Sequence, residues 1–570
     1  MNLIKLGQAL LKTRVPKTSV YDYVCNDKRN QSNMKETAVM YGMDTYTRSE
    51  IQTLTDQLAK SFRKIGVTRG TLVPTLLNVN PETLAIYLSL VKIGAIAVPI
   101  ETKTSIEGIQ ELVRLVDADL IVADDQYYNK VEKTRVKNVV YGSLTNPLKG
   151  DKHFAEVFPF APELNDFTVS TISRNILIQD FIEYGQDHED VIPVANNPDD
   201  LAVIGFTGGT TQGKPKAVKV SNYNILTALT KFDIVNTAQG FKRQIRKLDF
   251  IPQSFVAGYL DQLLSYKFGY ISQQYPFYMS DGLAQLFNMY QPEDVKMVPS
   301  FHNALAKAVQ EEHVTDLSYV TSMGSVAEIL HPEDKKRIEA TYRTAGYRGS
   351  VISLYGASET TATCIAPSPS CQREDSLGVT VPLSKVGVFD PETLRPLPDG
   401  QVGEIWIAGK SVVSGYYKNP EADQANFYDD ARGTHWFRTG DLGYRDPKDK
   451  NYIQQGRMKR MLTVDAYKIY PETLESLINA DTINGLIEQC VIVPAKDELR
   501  GTVPVACLVT NCDISGREEL IRDQINILLS HAPTPKAVQI SRVYSVSEIP
   551  LTAAGKKDVL ALEKQINQAC

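Results

Sequence analysis

Phe206-Thr207-Gly208-Gly209-Thr210-Thr211-Gln212-Gly213-Lys214-Pro215-Lys216-Ala217 follows a short apolar run, Leu201-Ala202-Val203-Ile204. Glycines, threonine hydroxyls and two ammonium groups crowd one tight turn at the end of a strand. Glycine lets the backbone approach an anion and turn its N–H groups inward. The hydroxyls and ammonium groups add donors for phosphate oxygens. No Gly-Lys-Ser/Thr opens a helix at the spacing of a Walker-type loop, so that reading is excluded. An exposed polar loop has the same look in isolation, and the choice falls to the rest of the chain.

Outward from this turn, segments of helical period alternate with short β-rich runs. Pro81–Ile93 reads as a helix with Leu84, Tyr87, Leu88 and Val91 on one face, followed by a buried strand, Ala95-Ile96-Ala97-Val98-Pro99. Residues 120–123, 201–206, 351–355 and 404–408 read as further strands. Such alternation predicts an α/β fold with parallel-rich sheets and helices on both faces. Residues 141–200 are less regular and serve as the connection into the glycine-rich turn. Asp446-Pro447-Lys448-Asp449-Lys450-Asn451 reads as a hairpin tip, and the remaining hundred or so residues suit a separate small domain. The expected division is 1–455, a large N-terminal domain, and 456–570, a small α+β C-terminal one.

Composition narrows the classes of function. With 570 residues, 43% hydrophobic and 22% charged, the chain is an ordinary globular one with length for more than one core. A net charge of −6 argues against general nucleic-acid binding, which calls for a basic stripe. Seven cysteines at 25, 364, 371, 490, 507, 512 and 570 show no metal-ligand spacing and an odd count, which fits the reducing cytoplasm. The apolar run Leu6 to Leu11 is too short to span a bilayer and lacks a cleavage signature, so a helix or an arm is expected there. No 18-residue apolar run occurs, and no transmembrane segment is expected.

Four further motifs carry chemistry. Tyr355-Gly356-Ala357-Ser358-Glu359-Thr360 sets a carboxylate beside hydroxyls after a strand. It suits either Mg²⁺ held near phosphate or a turn with a capping serine. In Phe437-Arg438-Thr439-Gly440-Asp441 the aspartate is placed either to accept two ribose hydroxyls or simply to form a turn. Gly456-Arg457-Met458-Lys459-Arg460 sets three cations in four positions, a pattern that also describes a solvated face. Ile549-Pro550-Leu551-Thr552-Ala553-Ala554-Gly555-Lys556-Lys557-Asp558 places an ammonium after a glycine turn near the chain's end.

Taken in order across residues 41–558, beginning with Gly42-Met43-Asp44-Thr45-Tyr46, these motifs resemble those of the adenylate-forming superfamily. That superfamily comprises acyl-CoA synthetases, the adenylation domains of peptide synthetases, and luciferases. The resemblance implies that Thr207, Gly208, Gly209, Thr210, Thr211, Gly213 and Lys216 hold the phosphates of ATP, with Gly324 and Gly356 also in the nucleotide site. It implies that Tyr355 packs on adenine, that Ser358, in place of the usual threonine, donates to the α-phosphate, and that Glu359 binds Mg²⁺. Asp441 would accept from the ribose, and Arg457 would contact the nucleotide. Lys459 would be the hinge about which a mobile small domain rotates. Lys556 takes the catalytic lysine position of Pro-Leu-Thr-x-x-Gly-Lys, with Lys557 adjacent. Gly403-Glu404-Ile405-Trp406 and Gly415-Tyr416-Tyr417-Lys418-Asn419-Pro420-Glu421 match as well and are given a structural role.

Departures from the pattern bear on the substrate. Gln212 is an additional residue in the glycine-rich turn, and Gly208 replaces a serine. Pro252-Gln253-Ser254-Phe255-Val256-Ala257-Gly258 matches the gate beside the carboxylate pocket, with Phe255 where many acyl-CoA synthetases carry histidine. Val256 stands where domains that activate amino acids place an aspartate. A buried ammonium without a counter-charge would cost several kcal/mol, so an α-amino acid is not the expected substrate. Asp465-Ala466 stands where CoA synthetases carry a glycine beside the pantetheine tunnel. The expected reaction converts an aryl or fatty carboxylic acid and ATP, with Mg²⁺, to an acyl-adenylate and pyrophosphate. Electrostatic stabilisation of the α-phosphate drives it, and the acyl group then passes to a thiol, first of all CoA. Two alternatives remain: loading of an acyl carrier protein's phosphopantetheine, and a nucleotide-binding homologue with impaired catalysis.

Overall fold

The computed structural model describes residues 14–569 apart from 43, 135, 144–174, 196, 208–215, 240–241, 277–279, 281, 368–372, 465–466, 482, 484, 498–500, 532–538 and 553–555. Two seven-stranded sheets form its larger part. The first runs Val351–Ser353, Ser322–Ser325, Asp294–Met297, Arg246–Asp249, Ile271–Gln274, Thr37–Tyr41, Asp44–Thr47. The second runs Asn175–Leu177, Asn138–Gly142, Leu120–Asp124, Leu72–Leu76, Ile96–Pro99, Leu201–Phe206, Ala217–Ser221. All neighbours are parallel except the last pair of each sheet, which is an antiparallel hairpin. The α/β expectation is met. Strand residues from both sheets, such as Val39, Val295, Val73 and Val203, share one hydrophobic core.

The helix Pro81–Ile93 forms where the sequence places it, for local reasons. The Asn80 side chain accepts the Thr83 N–H, Pro81 fills the first turn, and Gly94 closes the helix at φ 75°. Every residue of it is buried, so the expectation of one apolar face is too narrow. The helix Arg48–Lys64 and the strand Ile96–Pro99 both pack against it.

Residues 351–355 do not make one strand. Val351–Ser353 ends the first large sheet, and Tyr355–Gly356 begins a small antiparallel sheet with Thr363–Ala366 and Val379–Thr380. The expected strand at 404–408 is Gly403–Gly409, in an antiparallel sheet with Ser384–Phe389, His435–Arg445, Phe427–Asp429 and Tyr452–Arg457. His435–Arg445 and Tyr452–Arg457 form the hairpin whose tip is residues 446–451.

Beyond it, Ile487–Asp497, Gly501–Thr510 and Arg542–Ser545 form a smaller mixed sheet. The helices Pro471–Asp481, Glu518–His531 and Val559–Ala569 accompany it. Two hydrophobic clusters here draw only on residues from Leu462 to Ile566. Among the described residues, no helix is long and apolar enough to cross a membrane.

Candidate active site

The strands on either side of the glycine-rich segment form a hairpin. Leu201–Phe206 pairs with Ala217–Ser221 so that Phe206 faces Ala217. Thr207 donates its N–H to the Lys216 carbonyl at 3.0 Å, and the Lys216 N–H reaches Thr207 Oγ1 at 3.3 Å. Gly208, Gly209, Thr210, Thr211, Gln212 and Gly213 lie outside the described residues. The chain around Tyr416 lies along the hairpin's second strand: the Tyr417 N–H donates to the Ala217 carbonyl at 2.7 Å, and the Lys219 N–H to the Gly415 carbonyl at 3.1 Å.

That alignment sets Tyr416 beneath the hairpin's end. Lys216 Nζ lies 4.9 Å from the centre of the Tyr416 ring, a cation–π distance. The Tyr416 hydroxyl donates to Glu359 Oε1 at 2.7 Å. Glu359 sits in the single 3₁₀ turn Ser358–Thr360, fixed because the Ala357 N–H donates to Thr360 Oγ1 at 2.9 Å. Burial pulls the Lys216 ammonium below its usual pKa; Glu359 opposes this and the charge of Lys459 adds to it. Lys216, Glu359 and Lys459 are therefore electrostatic neighbours. Tyr416 takes part in this group, beyond the scaffold role that the sequence reading gave residues 415–421. Nothing in its spacing marks it, because its partner is 57 residues away.

A second group forms on the antiparallel sheet. Tyr355 donates its hydroxyl to Asp441 Oδ2 at 2.6 Å. Arg457 stands opposite Asp441 in the hairpin register, and its Nε lies 2.9 Å from Asp441 Oδ1. Asp441 is only 3% exposed. Its turn is clamped by buried Glu404, which accepts from Trp406 Nε1 at 2.8 Å, Arg438 Nε at 3.1 Å and the Gly440 N–H at 3.0 Å. Residues 403–406 thus do the structural work expected of them. At Gly356 an added Cβ would lie 2.7 Å from the Ala362 carbonyl, so the turn before Ser358 leaves no room for a side chain.

The two lysines near the C-terminus point to different neighbours. Leu551 and Lys557 form a bridge, with the Thr552 N–H on the Lys556 carbonyl at 2.7 Å. Gly555 lies outside the described residues. Burial and Arg457 depress the pKa of the Lys556 ammonium, while Glu328, Asp441 and Glu359 support it. Lys556 therefore lies within electrostatic reach of both groups described above. The charge of Lys557 also acts on Glu328 but otherwise on Glu475 and His331, and its N–H donates to Glu328 Oε1 at 3.1 Å. Of the three clustered cations, Arg457 pairs with Asp441. Arg460 pairs with Glu472 at 3.2 Å and Glu475 at 2.5 Å, and Lys459 is exposed on the turn between them.

Phe255, Val256 and Gly258, expected from the sequence to form a gate, belong to the framework beside the hairpin. Phe255, half-buried, precedes the helix Val256–Phe268. Val256 is buried against the strand Leu201–Phe206, where a Cβ on Gly205 would sit 2.5 Å from Val256 Cγ2. A Cβ on Gly258 would lie 2.2 Å from the Pro252 carbonyl. Gly324 lies in the strand Ser322–Ser325, and its carbonyl accepts from His302 Nε2 at 3.2 Å. Burial holds that imidazole neutral, with its pKa down to about 4. Asp465 and Ala466 lie outside the described residues.

No group of three His, Cys, Asp or Glu side chains able to hold a metal ion occurs among the described residues. The single carboxylate of Glu359 beside Lys216 and Ser358 suits an Mg²⁺ that arrives on phosphate oxygens and keeps its waters, rather than an ion caged by protein.

Lys216 at the hairpin's end, the buried carboxylate of Glu359 and Lys556 from the C-terminal region are thus electrostatic neighbours. The model of the AMP-binding enzyme family matches residues 26–417, and the chain belongs to that family. Its class is that of the AMP-forming acid–thiol ligases. It is 26% identical over 529 residues to a 4-coumarate–CoA ligase of Vanilla planifolia, covering 90% of this chain and 87% of that protein. Two solved structures share its fold. ATP-bound MatB from Rhodopseudomonas palustris superimposes with a TM-score of 0.80 at 19% identity, over 97% of this chain and all of that one. The anthranilate CoA ligase AuaEII in complex with anthranoyl-AMP gives 0.80 at 19% identity, over 98% and 99%.

Proposed function

We propose that the chain joins a carboxylic acid to ATP, releasing pyrophosphate, and passes the acyl group from the adenylate to the thiol of CoA. The convergence of Lys556 on Arg457, Asp441 and Glu359 carries this reading. A carboxylate oxygen attacks the α-phosphorus, and the bond to the pyrophosphate oxygen breaks. Negative charge grows on the α-phosphoryl group as this happens, and fixed cations and donors lower the barrier. Lys556 bridges the carboxylate and the α-phosphate, and Ser358 adds a hydroxyl donor. Thr207, Thr210, Thr211 and Lys216 hold the departing pyrophosphate, with the backbone of Gly208, Gly209 and Gly213 around it. Tyr355, Gly356 and Gly324 border the adenine, and Asp441, steadied by Tyr355 and Arg457, takes the ribose hydroxyls. Mg²⁺, when bound at Glu359, neutralises charge on the phosphates.

Residues 1–455 form the domain that binds ATP and acid, and residues 456–570 form a small domain that turns at Lys459 between the two half-reactions. Phe255, Val256 and Gly258 make an apolar gate without a counter-charge for an ammonium, which favours an aryl or fatty acid. The similarity to ligases named for 4-coumarate and anthranilate supports the aryl class. Four buried free thiols, Cys25, Cys364, Cys490 and Cys507, are consistent with a cytoplasmic setting. The test is ATP–pyrophosphate exchange across a panel of aryl, fatty and α-amino acids, followed by thioester formation with CoA or with a loaded carrier protein. Exchange with aryl or fatty acids and none with amino acids is the expected result. Exchange with no acid would leave the impaired homologue, and a product only with the carrier would replace CoA as acceptor.

A further inference from the structure

Building on the role given to Lys556 above, we propose that Glu328 is the docking carboxylate that holds the small C-terminal unit in its adenylating arrangement and presents Lys556 to the reacting phosphate. Glu328 lies just past the strand Ser322–Ser325, in a turn the backbone pays to form. Ala327 there has φ 70°, a left-handed conformation that is costly for a residue with a Cβ, and the Glu328 N–H folds back to the Val326 carbonyl at 2.9 Å. The turn aims the carboxylate at the hairpin that carries the lysines, where Glu328 Oε1 accepts the Lys557 N–H at 3.1 Å. Its chain partner is 229 residues away.

Charge surrounds this bond. Burial pushes the Glu328 carboxyl above its usual pKa, and Lys556, Lys557 and Arg457 pull it back toward the ionised form. An ionised acceptor makes the stronger hydrogen bond. Lys556 in turn is disfavoured as a cation by burial and by Arg457, and Glu328 is the first of the carboxylates that offset this. At the far end of the same turn, His331, half-buried, lies within the electrostatic reach of Glu475, Lys557 and Arg460 of the C-terminal region. Just beyond it, the helix Pro332–Thr344 packs on the helix Pro471–Asp481. Residues 326–332 thus form part of the face through which the large unit meets the small one, and Glu328 is the member of it whose charge supports Lys556. A rotation of the small unit must break the Glu328–Lys557 bond, so the bond belongs to one arrangement alone.

The experiment compares Glu328→Ala and Glu328→Gln in the full chain. In Glu328→Ala, acid-dependent ATP–pyrophosphate exchange should fall by about tenfold or more, while thioester formation from supplied acyl-adenylate stays within about twofold. Glu328→Gln keeps an oxygen for the Lys557 N–H and should fall less. Hydrogen–deuterium exchange of residues 549–560 in the nucleotide-free protein reads the docking bond directly: faster in Glu328→Ala, close to wild type in Glu328→Gln. Equal loss in both half-reactions, unchanged exchange in Glu328→Ala, or unchanged protection of residues 549–560 would each overturn the proposal. Should the wild type exchange pyrophosphate with no acid, the proposed function fails, while the protection measurement still decides the docking bond.

Discussion

At the scale of single residues, the Gly-Lys-Lys end of the last motif offers two lysines, and spacing alone does not choose between their roles. Their charge environments differ: Lys556 is within reach of Arg457, Asp441 and Glu359, whereas the charge of Lys557 is felt by Glu475 and His331, and both act on Glu328. Lys556→Ala should therefore lose two to three decades or so of adenylation rate, the scale of removing one preorganised donor from a developing anion. Its thermal unfolding should stay near wild type, and Lys557→Ala should be mild. Pyrophosphate exchange and a melting curve check this; a silent Lys556→Ala beside a crippling Lys557→Ala would reverse the assignment. Tyr416 teaches a different lesson. Its hydroxyl meets Glu359 at 2.7 Å, and Lys216 lies over its ring. Tyr416→Phe keeps the ring and strips one donor from a buried carboxylate, a loss worth about 1–3 kcal/mol. The Mg²⁺ concentration at half-maximal exchange should rise several-fold while the acid's KM stays put. No shift in the Mg²⁺ titration would return Tyr416 to the scaffold.

At the scale of elements, what could be read in advance was what short-range chemistry decides. Asn80, Pro81 and Gly94 carry start and stop signals within or beside the helix they bound, and its limits are legible to the residue. Its complete burial is not, because that depends on the helix Arg48–Lys64 and on strands brought in from elsewhere. The antiparallel sheet around Gly403–Gly409 was hidden for the same reason: its partner strand His435–Arg445 lies about thirty residues away, and a single apolar run does not reveal the direction of its neighbour. The gate helix joins the two scales. Gly258 lies in its first turn, where alanine would by propensity alone add about 1 kcal/mol of stability. A Cβ there would meet the Pro252 carbonyl at 2.2 Å, backbone against which little can yield. Gly258→Ala should instead destabilise by about 1–3 kcal/mol through overpacking. Because the displaced segment carries Phe255 and Val256, the KM for the acid should rise more than that for ATP. Thermal unfolding and steady-state kinetics test both parts, and a stabilised variant would show that the turn relaxes.

At the scale of the whole molecule, the hydrophobic clusters of the C-terminal region are separate from the large core, and a seam of charged pairs joins the two regions. Arg457 is tied on one side, opposite Asp441 in the antiparallel sheet, with Nε 2.9 Å from its carboxylate. Arg460, three residues on, is tied to the other side through Glu472, Glu475 and the Ile492 carbonyl at 3.0 Å. Met458 and Lys459 are the links between these anchors, in a 3₁₀ turn short enough to change its dihedrals without dismantling a longer element. Were the C-terminal unit to rotate about the larger one, as the proposed hinge role of Lys459 requires, the turn between these anchors is where the chain would absorb it. Lys459 also lowers the pKa of Lys216, a like-charge neighbour whose repulsion works against holding the two close. Lys459→Pro locks φ near about −65° and removes an N–H, so the turn should hold one arrangement. Lys459→Ala keeps the dihedral freedom and removes only the charge. With the proline, one half-reaction should fall far more than the other when pyrophosphate release and thioester formation are measured separately. With the alanine, the ratio of the two should stay close to that of the wild type. Equal losses in both steps with proline would make Lys459 an exposed cation on an ordinary turn, and the motion between the two half-reactions would have to be sought elsewhere along the seam.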